Sequence, residues 1–529
     1  MIDAPSDGAA GVDPAAPPSP KRAAGQLWPA FAVPVLLLLP TLLFAWGRDP
    51  ATFAYVGQVI VDGGMPYRDA WDIKPPGIYL LYAALRLLSP DGGWGYMATV
   101  RSFDVLLAGV TGLLLAQLVR HWGRPEWGTA AAAWYAALYL SGTYWSLGQA
   151  EAWANPLVLG AALLLLQAGA SDRIDTARLC GAGLLLGAAA LLKFTAVLPA
   201  LPFLIPALYR KRLFRAAALV LGGLLPLLAA FLWLRAGNAW DAYLEIQRDF
   251  VVPYTRLTAP GAAEGLLGIA AQTGRWLLKV WPAALLGLAG AWLWRSAGRG
   301  LVVGAFTAGL LTVWVQHKYF AYHWQPALPW LALLAAAGGA SVLRQRPRWS
   351  ALAPTLAAAA WLLAMYGGTY LDAARYAAGL LPRDQWYARF GRPHGGDYSF
   401  LAGVWAAEYV REHTKPGETV LVWGFEPNVY LFSDRRASSR YFFNVPLTAP
   451  FAPPGWQTEY FDGIVAKEPQ LLLVLRNDEI PWASGTRADS EEMLNFPQYR
   501  MPPIRDLFED RYVQVEDFTI HPRWVPPPF

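Results

Sequence analysis

Apolar residues dominate a series of stretches at 27–46, 98–119, 127–145, 152–170, 177–192, 196–209, 213–234, 276–294, 300–316, 326–343 and 349–367. Most come close to the roughly 20 residues a helix needs to cross a hydrocarbon core of about 30 Å, so about eleven spans are predicted. The stretch at 196–209 is the shortest and is rich in proline. Between the first two stretches the pattern changes. TFAYVGQVI (52–60) places Phe53, Val56 and Ile60 at helical spacing, which predicts an amphipathic helix lying on the membrane surface. IYLLYAALRLL (78–88) is apolar but too short to cross, and it too is predicted to lie at the interface. Beyond residue 371 the hydropathy falls. ETVLVWG (418–424) and QLLLVLR (470–476) read as strands with helical pattern between them, as in a small α/β domain.

Three regions follow. Residues 1–26, rich in Ala, Pro, Gly and Asp, form a disordered tail rather than a cleaved signal, because no charged segment opens the chain. Residues 27–371 form a polytopic α-helical membrane domain with a first loop at 47–97, and residues 372–529 form the α/β domain.

Composition agrees with this reading. The 529 residues are 55% hydrophobic and include 26 Trp, and the mean hydropathy is +0.28, which sets the chain apart from ordinary soluble domains. The net charge of +5 says less than its placement. With the N-terminus in the cytoplasm, alternation puts Lys21/Arg22, Arg120/Arg124, Arg173/Arg178, Arg210/Lys211/Arg212/Arg215, Arg295/Arg299 and Arg344/Arg346/Arg348 all inside, as the positive-inside rule requires. The outer face then collects the 47–97 loop, residues 143–153, the turn near Lys193, a long 235–275 loop, residues 317–324 and the C-terminal domain. A single cysteine, Cys180, excludes an intrachain disulfide and is expected to pack in a helix. No nucleic-acid partner is expected, and no Walker-type phosphate loop is present.

Chemistry-bearing residues concentrate on that outer face. In a chain only 15% charged, residues 48–77 hold Asp49, Asp62, Arg68, Asp69, Asp72 and Lys74. Polar groups this dense beside a membrane segment mark a functional-site hypothesis. Asp49 is either a carboxylate poised to take a proton from a hydroxyl or half of an interfacial Arg48–Asp49 pair that ends the helix. Asp69 and Asp72 have the chemistry to bind a divalent cation or to cap the loop, so a metal is left open. Lys74, followed by two prolines that fix the backbone, suits an anionic headgroup such as a phosphate, as against a lysine that merely snorkels. Glu151 stands at the outer end of its span, where it either orients a substrate hydroxyl or a catalytic arginine, or complements the helix dipole. Asn155 follows it one turn later. Lys193 breaks the positive-inside trend and is a further phosphate candidate. His317, Lys318, Tyr322 and His323 make a second polar patch that matches no zinc spacing. It suits hydrogen bonding to a phosphate or sugar, while its aromatic residues also fit an interfacial belt.

GGMPYRDAWDIKPPGIYLLYAAL (63–85), with Asp49 ahead of it and HKYFAYHWQPALP (317–329) downstream, resembles the bacterial branch of the protein O-mannosyltransferase and aminoarabinose transferase superfamily. These are GT-C-fold enzymes that take a sugar from a polyprenyl-phosphate carrier. The likeness covers roughly 27–367 and extends to WGFEPNVYLFSDRRASSRYFF (423–443). It implies that Asp49 is the catalytic base, that Lys74 meets the carrier phosphate, that Glu151 matches an acidic position after the third span, and that the 317–324 patch lines the site. Many members carry Asp-Glu in the first loop, where this chain has Asp49–Pro50.

The resemblance implies a glycosyltransferase of a bacterial inner membrane, acting on the extracytoplasmic side with inversion. The donor would be a polyprenyl-phosphate sugar, the acceptor a lipid, glycan or protein, and no further cofactor is assigned. Asp49 and Glu151 are the expected catalytic residues. Lys74, Lys193, Arg68 and His323 are expected at the donor phosphate, with Tyr67, Asp69, Asp72, His317, Lys318 and Tyr322 around it. Two other classes compete: a flippase or transporter of lipid-linked sugars, and a structural membrane protein, which would not need these residues to converge.

Overall fold

The computed structural model describes residues 20–170, 174–209, 212–256, 265–343, 347–391, 398–495 and 502–512. Most of the 1–26 tail, and Arg173, Arg210, Lys211, Arg344 and Arg346 of the basic connections, lie outside the described residues. Helix α1 (Pro20–Leu38) opens inside the predicted tail and runs into a tight turn at Leu39–Leu43. The chain then bends by 82° into α2 (Arg48–Val61), and α3 (Pro76–Leu87) packs against α2. The bundle continues with α4 (Trp94–His121), α5 (Gly128–Ser141), α6 (Ala150–Gly169), α7 (Thr176–Leu192), α8 (Leu201–Leu208) and α9 (Arg212–Ala236). It closes with α10 (Trp240–Ile246), α11 (Val252–Arg256), α12 (Gly265–Lys279), α13 (Trp281–Leu293), α14 (Ala297–Trp314), α15 (Leu328–Val342) and α16 (Pro347–Ala377).

Every predicted apolar stretch is helical, but helices long and apolar enough to span number four among the described residues, α4, α6, α9 and α16, or up to six if each bent pair counts once. The single span expected at 276–294 is broken by a bend of 103° between α12 and α13, just ahead of Pro282. The long 235–275 loop is largely helical, and α16 runs on past residue 371 to Ala377.

Burial sorts the helices. α5 and α15 are packed on nearly all sides, and with 55% hydrophobic sequence only such all-round apolar helices can sit in the middle of a bundle. α9 and α16 instead bury only 22% and 28% of their apolar windows, leaving leucines facing outward to lipid. Without a hydrophobic drive between helices in lipid, close packing decides contacts, and small residues permit it. A Cβ on Gly183 of α7 would lie 2.0 Å from the Leu219 carbonyl oxygen of α9, so only glycine allows that crossing. Cys180 packs in the same seam, its Sγ 3.2 Å from the Ala218 carbonyl oxygen. Arg215, counted from sequence among the basic loop residues, is fully buried and donates to the carbonyls of Ala168 and Ala207, capping the ends of α6 and α8.

The surface-lying helix predicted at 52–60 is corrected by the fold: α2 is buried on almost every face. Its lower side packs on α3, and its upper side meets the C-terminal domain, where Tyr55 lies 4.3 Å from the Phe442 ring and accepts from the Ala437 amide. That domain follows α17 (Arg383–Tyr387) and comprises α18 (Phe400–His413), β1 (Thr419–Trp423), α19 (Asn428–Ser433), β2 (Arg436–Ala437), α20 (Val445–Thr448), α21 (Pro454–Lys467) and β3 (Leu471–Val474), with the short helices α22 (Pro481–Ser484), α23 (Ser490–Met493) and α24 (Pro502–Arg511) after it. The three strands pair in parallel in the order β2-β1-β3. β1 and β3 match the two strands read from sequence; β2, at two residues, carries no periodic pattern to read.

Candidate functional site

Asp49 stands in the first turn of α2, where the positive end of the helix favours a carboxylate. Gly47 caps that turn in extended conformation, packed so closely that a Cβ would meet the Trp145 ring at 2.5 Å. Asp49 is half-buried, and the Tyr322 hydroxyl lies within hydrogen-bonding reach of its carboxylate.

Lys74 is fixed through its backbone. Tyr67, held at a positive φ of 69°, donates its hydroxyl to the Lys74 carbonyl at 2.8 Å, and the Lys74 amide donates to the Tyr79 hydroxyl at 3.1 Å. Pro75 and Pro76 then start α3 without sacrificing a needed N–H. Gly77 lets this corner dock on the end of α7, since a Cβ there would lie 2.7 Å from the Leu191 carbonyl oxygen. Lys193 follows two residues later.

The result is a three-residue charge cluster. Glu151, at the N-terminal end of α6 and only 1% exposed, has Lys193 Nζ at 3.0 Å and Lys74 Nζ at 4.0 Å from the same carboxylate oxygen. The lysine side chains keep 11% and 15% of their surface, so neither is wholly enclosed. Lys74 also lies over the rings of Tyr322 and Phe53, at 5.3 and 5.7 Å. Burial opposes its charge, but Glu151, Asp49 and Asp72 together hold its pKa above the ordinary lysine value, so it is an ammonium at neutral pH.

His323 completes the wall on a short helical turn (Ala321–Ala327) ahead of α15. Burial and the neighbouring Lys193 push its pKa well below the usual imidazole range. It is therefore neutral, and it can meet a phosphate as a hydrogen-bond donor but not as a second cation. Asn155 on α6 donates to the Gln325 carbonyl at 3.1 Å and ties this turn to the Glu151 helix. Lys318 is buried over the Tyr254 ring at 3.9 Å, and burial pushes its pKa down to about 8.

Other sequence candidates are placed elsewhere or in supporting roles. Arg68 and Asp69 pair with each other at 2.7 Å on the surface, where Asp69 caps the Met65 amide and Arg68 reaches the Gly237 carbonyl. They are not brought into the cluster. Asp72 is buried, caps the Ile73 amide and accepts from Tyr79, and burial raises its pKa to about 6. His317 sits at a positive-φ corner (φ 50°) ahead of the turn. Among the described residues no three His, Cys, Asp or Glu side chains are grouped to hold a metal ion.

Sequence reading passed over Arg101 and Asp104, both fully buried in α4. Arg101 donates to the Phe44 and Ala45 carbonyls just ahead of α2, and Asp104 accepts from Tyr139 and, two residues after Glu151, from Trp153. One helix thus anchors both carboxylate-bearing segments. Two charges inside a predicted span were the available signal.

No family model matches the chain, and no curated protein does. Among solved structures, ArnT from Cupriavidus metallidurans bound to undecaprenyl phosphate superposes with a TM-score of 0.52 at 13% identity, over 86% of this chain and 90% of that one. The same organism's ArnT in the apo state gives 0.51 at 13% identity, over 78% and 85%. The fold is that of ArnT. ArnT is an aminoarabinose transferase with the GT-C fold implied by the resemblance of residues 63–85 and 317–329, and its likeness covers most of this chain.

Proposed function

We propose that this chain is a multi-pass membrane glycosyltransferase that takes a sugar from a polyprenyl-phosphate carrier and gives it to a hydroxyl of a cell-envelope lipid, glycan or protein. The carrying observation is the juxtaposition of Asp49 at a helix N-terminus with two ammonium groups gathered on the buried Glu151. The ArnT bound to undecaprenyl phosphate supports the carrier class. The alternating basic connections support a cytoplasmic N-terminus and an extracytoplasmic site in a bacterial inner membrane.

In this mechanism Asp49 accepts the proton of the acceptor hydroxyl while that oxygen attacks the anomeric carbon. The bond from that carbon to the phosphate oxygen breaks, and its electron pair leaves with the phosphate. The phosphate passes from one negative charge toward two. Two lysines less one glutamate leave a net charge of +1, which matches the charge that develops. Glu151 then serves to position the lysines. A single displacement inverts the anomeric configuration.

The test is transfer of radiolabelled sugar from a panel of polyprenyl-phosphate donors, comparing wild type with Asp49→Asn at equal protein levels. Transfer that collapses in the variant supports both reaction and base. Undiminished transfer by the variant removes Asp49 from that role. Movement of lipid-linked sugar across vesicles without any transfer would replace the enzyme by a flippase.

A further inference from the structure

We propose that the C-terminal domain is part of the catalytic apparatus, its 424–428 turn positioning Asp49 through Asn428 and the Phe425 carbonyl. The inference rests on the reading of Asp49 as the base.

Residues 44–47 link α1 to α2 outside either helix, tied to the flanking turns by the Phe44 amide, which donates to the Thr41 carbonyl, and by the Gly47 carbonyl, which accepts from Ala51, so the position of Ala45 and Trp46 depends on their other partners. The membrane domain supplies Arg101 at the Phe44 and Ala45 carbonyls. Nearer to Asp49, Gly47 packs on Trp145 and the Trp46 ring on Tyr96, while the C-terminal domain supplies hydrogen-bond partners to Trp46 and Arg48. The Trp46 indole donates to Asn428 Oδ1 at 2.5 Å, and the Trp46 carbonyl accepts from the Tyr398 hydroxyl at 2.7 Å. Arg48 donates through Nε to the Phe425 carbonyl at 2.9 Å, and its guanidinium stacks between the Phe425 and Tyr398 rings at 5.2 and 5.4 Å. Asn428 cannot turn its amide, because Nδ2 donates to both Tyr398 at 3.1 Å and Glu426 at 2.6 Å, which leaves Oδ1 for Trp46.

These groups are buried, and the residue that follows Arg48 is Asp49. Adjacent Cα atoms lie about 3.8 Å apart, so a displacement of Arg48 is passed on almost undiminished. Misplacing a reacting group by about 1 Å can cost roughly a hundredfold in rate. Lys74 precedes α3, Lys193 follows α7 and Glu151 stands on α6, and none of these bonds from the 424–428 turn reaches the three residues.

The experiment uses purified full-length protein, titrates the donor, and normalises turnover to folded protein. Binding is followed separately by the thermal stabilisation that undecaprenyl phosphate produces. Asn428→Ala and Arg48→Lys should each lower kcat roughly 10- to 100-fold, with donor KM and the stabilisation unchanged. The double variant should be no worse than the poorer single, since both act through one position. If Asn428→Ala does not fold, Trp46→Phe removes the indole donor alone and Arg48→Lys keeps the charge. Unchanged kcat, a loss confined to KM, or additive losses would overturn the inference. Asp49→Asn in the same assay separates the levels. Full turnover there overturns the reading of Asp49 and this inference with it. A dead Asp49→Asn beside fully active Asn428→Ala and Arg48→Lys overturns the inference alone.

Discussion

Replacing Glu151 by Gln removes one negative charge from between two buried ammonium groups and barely changes the shape of the side chain. At an effective dielectric of about 20, the separations of 3.0 and 4.0 Å correspond to gross attractions of about 6 and about 4 kcal/mol. Against this stands the cost of keeping the carboxylate itself out of water, several kcal/mol, which the variant no longer bears. The net loss should fall near 3–5 kcal/mol, the usual result of removing one partner from a buried pair. The assay is thermal unfolding of detergent-solubilised protein, with the Tm expected to fall by several degrees. Charge balance, not the carboxylate as such, is the cause, so Glu151→Gln/Lys193→Met should regain most of the stability. Undecaprenyl phosphate, a replacement anion, should raise the Tm of the Glu151→Gln single variant more than that of wild type. Destabilisation under about 1 kcal/mol, or a double variant worse than the sum of its singles, would refute the reasoning.

Further outcomes follow from single contacts. Gly77→Ala places a Cβ 2.7 Å from the Leu191 carbonyl oxygen, so α3 must move off α7, at a cost of about 1–3 kcal/mol. Lys74 moves with it, and steady-state kinetics should show the loss mainly as a higher donor KM. Glu426 is buried and its pKa is raised from 4.5 to about 7. The folded state therefore holds more protons than the unfolded one between pH 4.5 and 7, and this group lowers stability progressively as pH rises through that window. The full cost, about 3 kcal/mol, is present above pH 7. Glu426→Gln should thus gain stability relative to wild type as pH rises from 4.5 to 7. A difference in Tm that stays constant over that range would contradict it.

The sequence carried the helical architecture because membrane spans write themselves as long apolar runs, and it carried Lys74 because PPG after it leaves the backbone little choice. Lys193 was visible as an exception to a charge rule. The burial of α2 was not legible: Phe53, Val56 and Ile60 give the same period whether lipid or protein covers them, and Tyr55 meets partners nearly four hundred residues away. The bend between α12 and α13 was equally hidden, since apolarity continues through it. Arg68 and Asp69 illustrate the converse error, for adjacency in sequence makes two charges conspicuous while the fold spends them on each other. Asn428 sits in the conspicuous 423–443 stretch and Arg48 beside Asp49, yet what they touch follows only from docking two domains.

That docking has a consequence for how the small domain should be understood. In an open parallel sheet the crevice beyond the carboxyl ends of the strands, where the strand order switches, is the usual seat for a ligand. Here the switch lies between β1 and β3, and the segments leaving those strands bring Phe425, Glu426 and Asp478 together, the Phe425 amide donating to Asp478 at 3.3 Å. The guest in that crevice is Arg48, a residue of the protein's own membrane half, whose charge both carboxyl groups feel. The position where such a sheet would hold a ligand is thus filled by a side chain of the same chain, and that contact joins the small domain to the membrane helices.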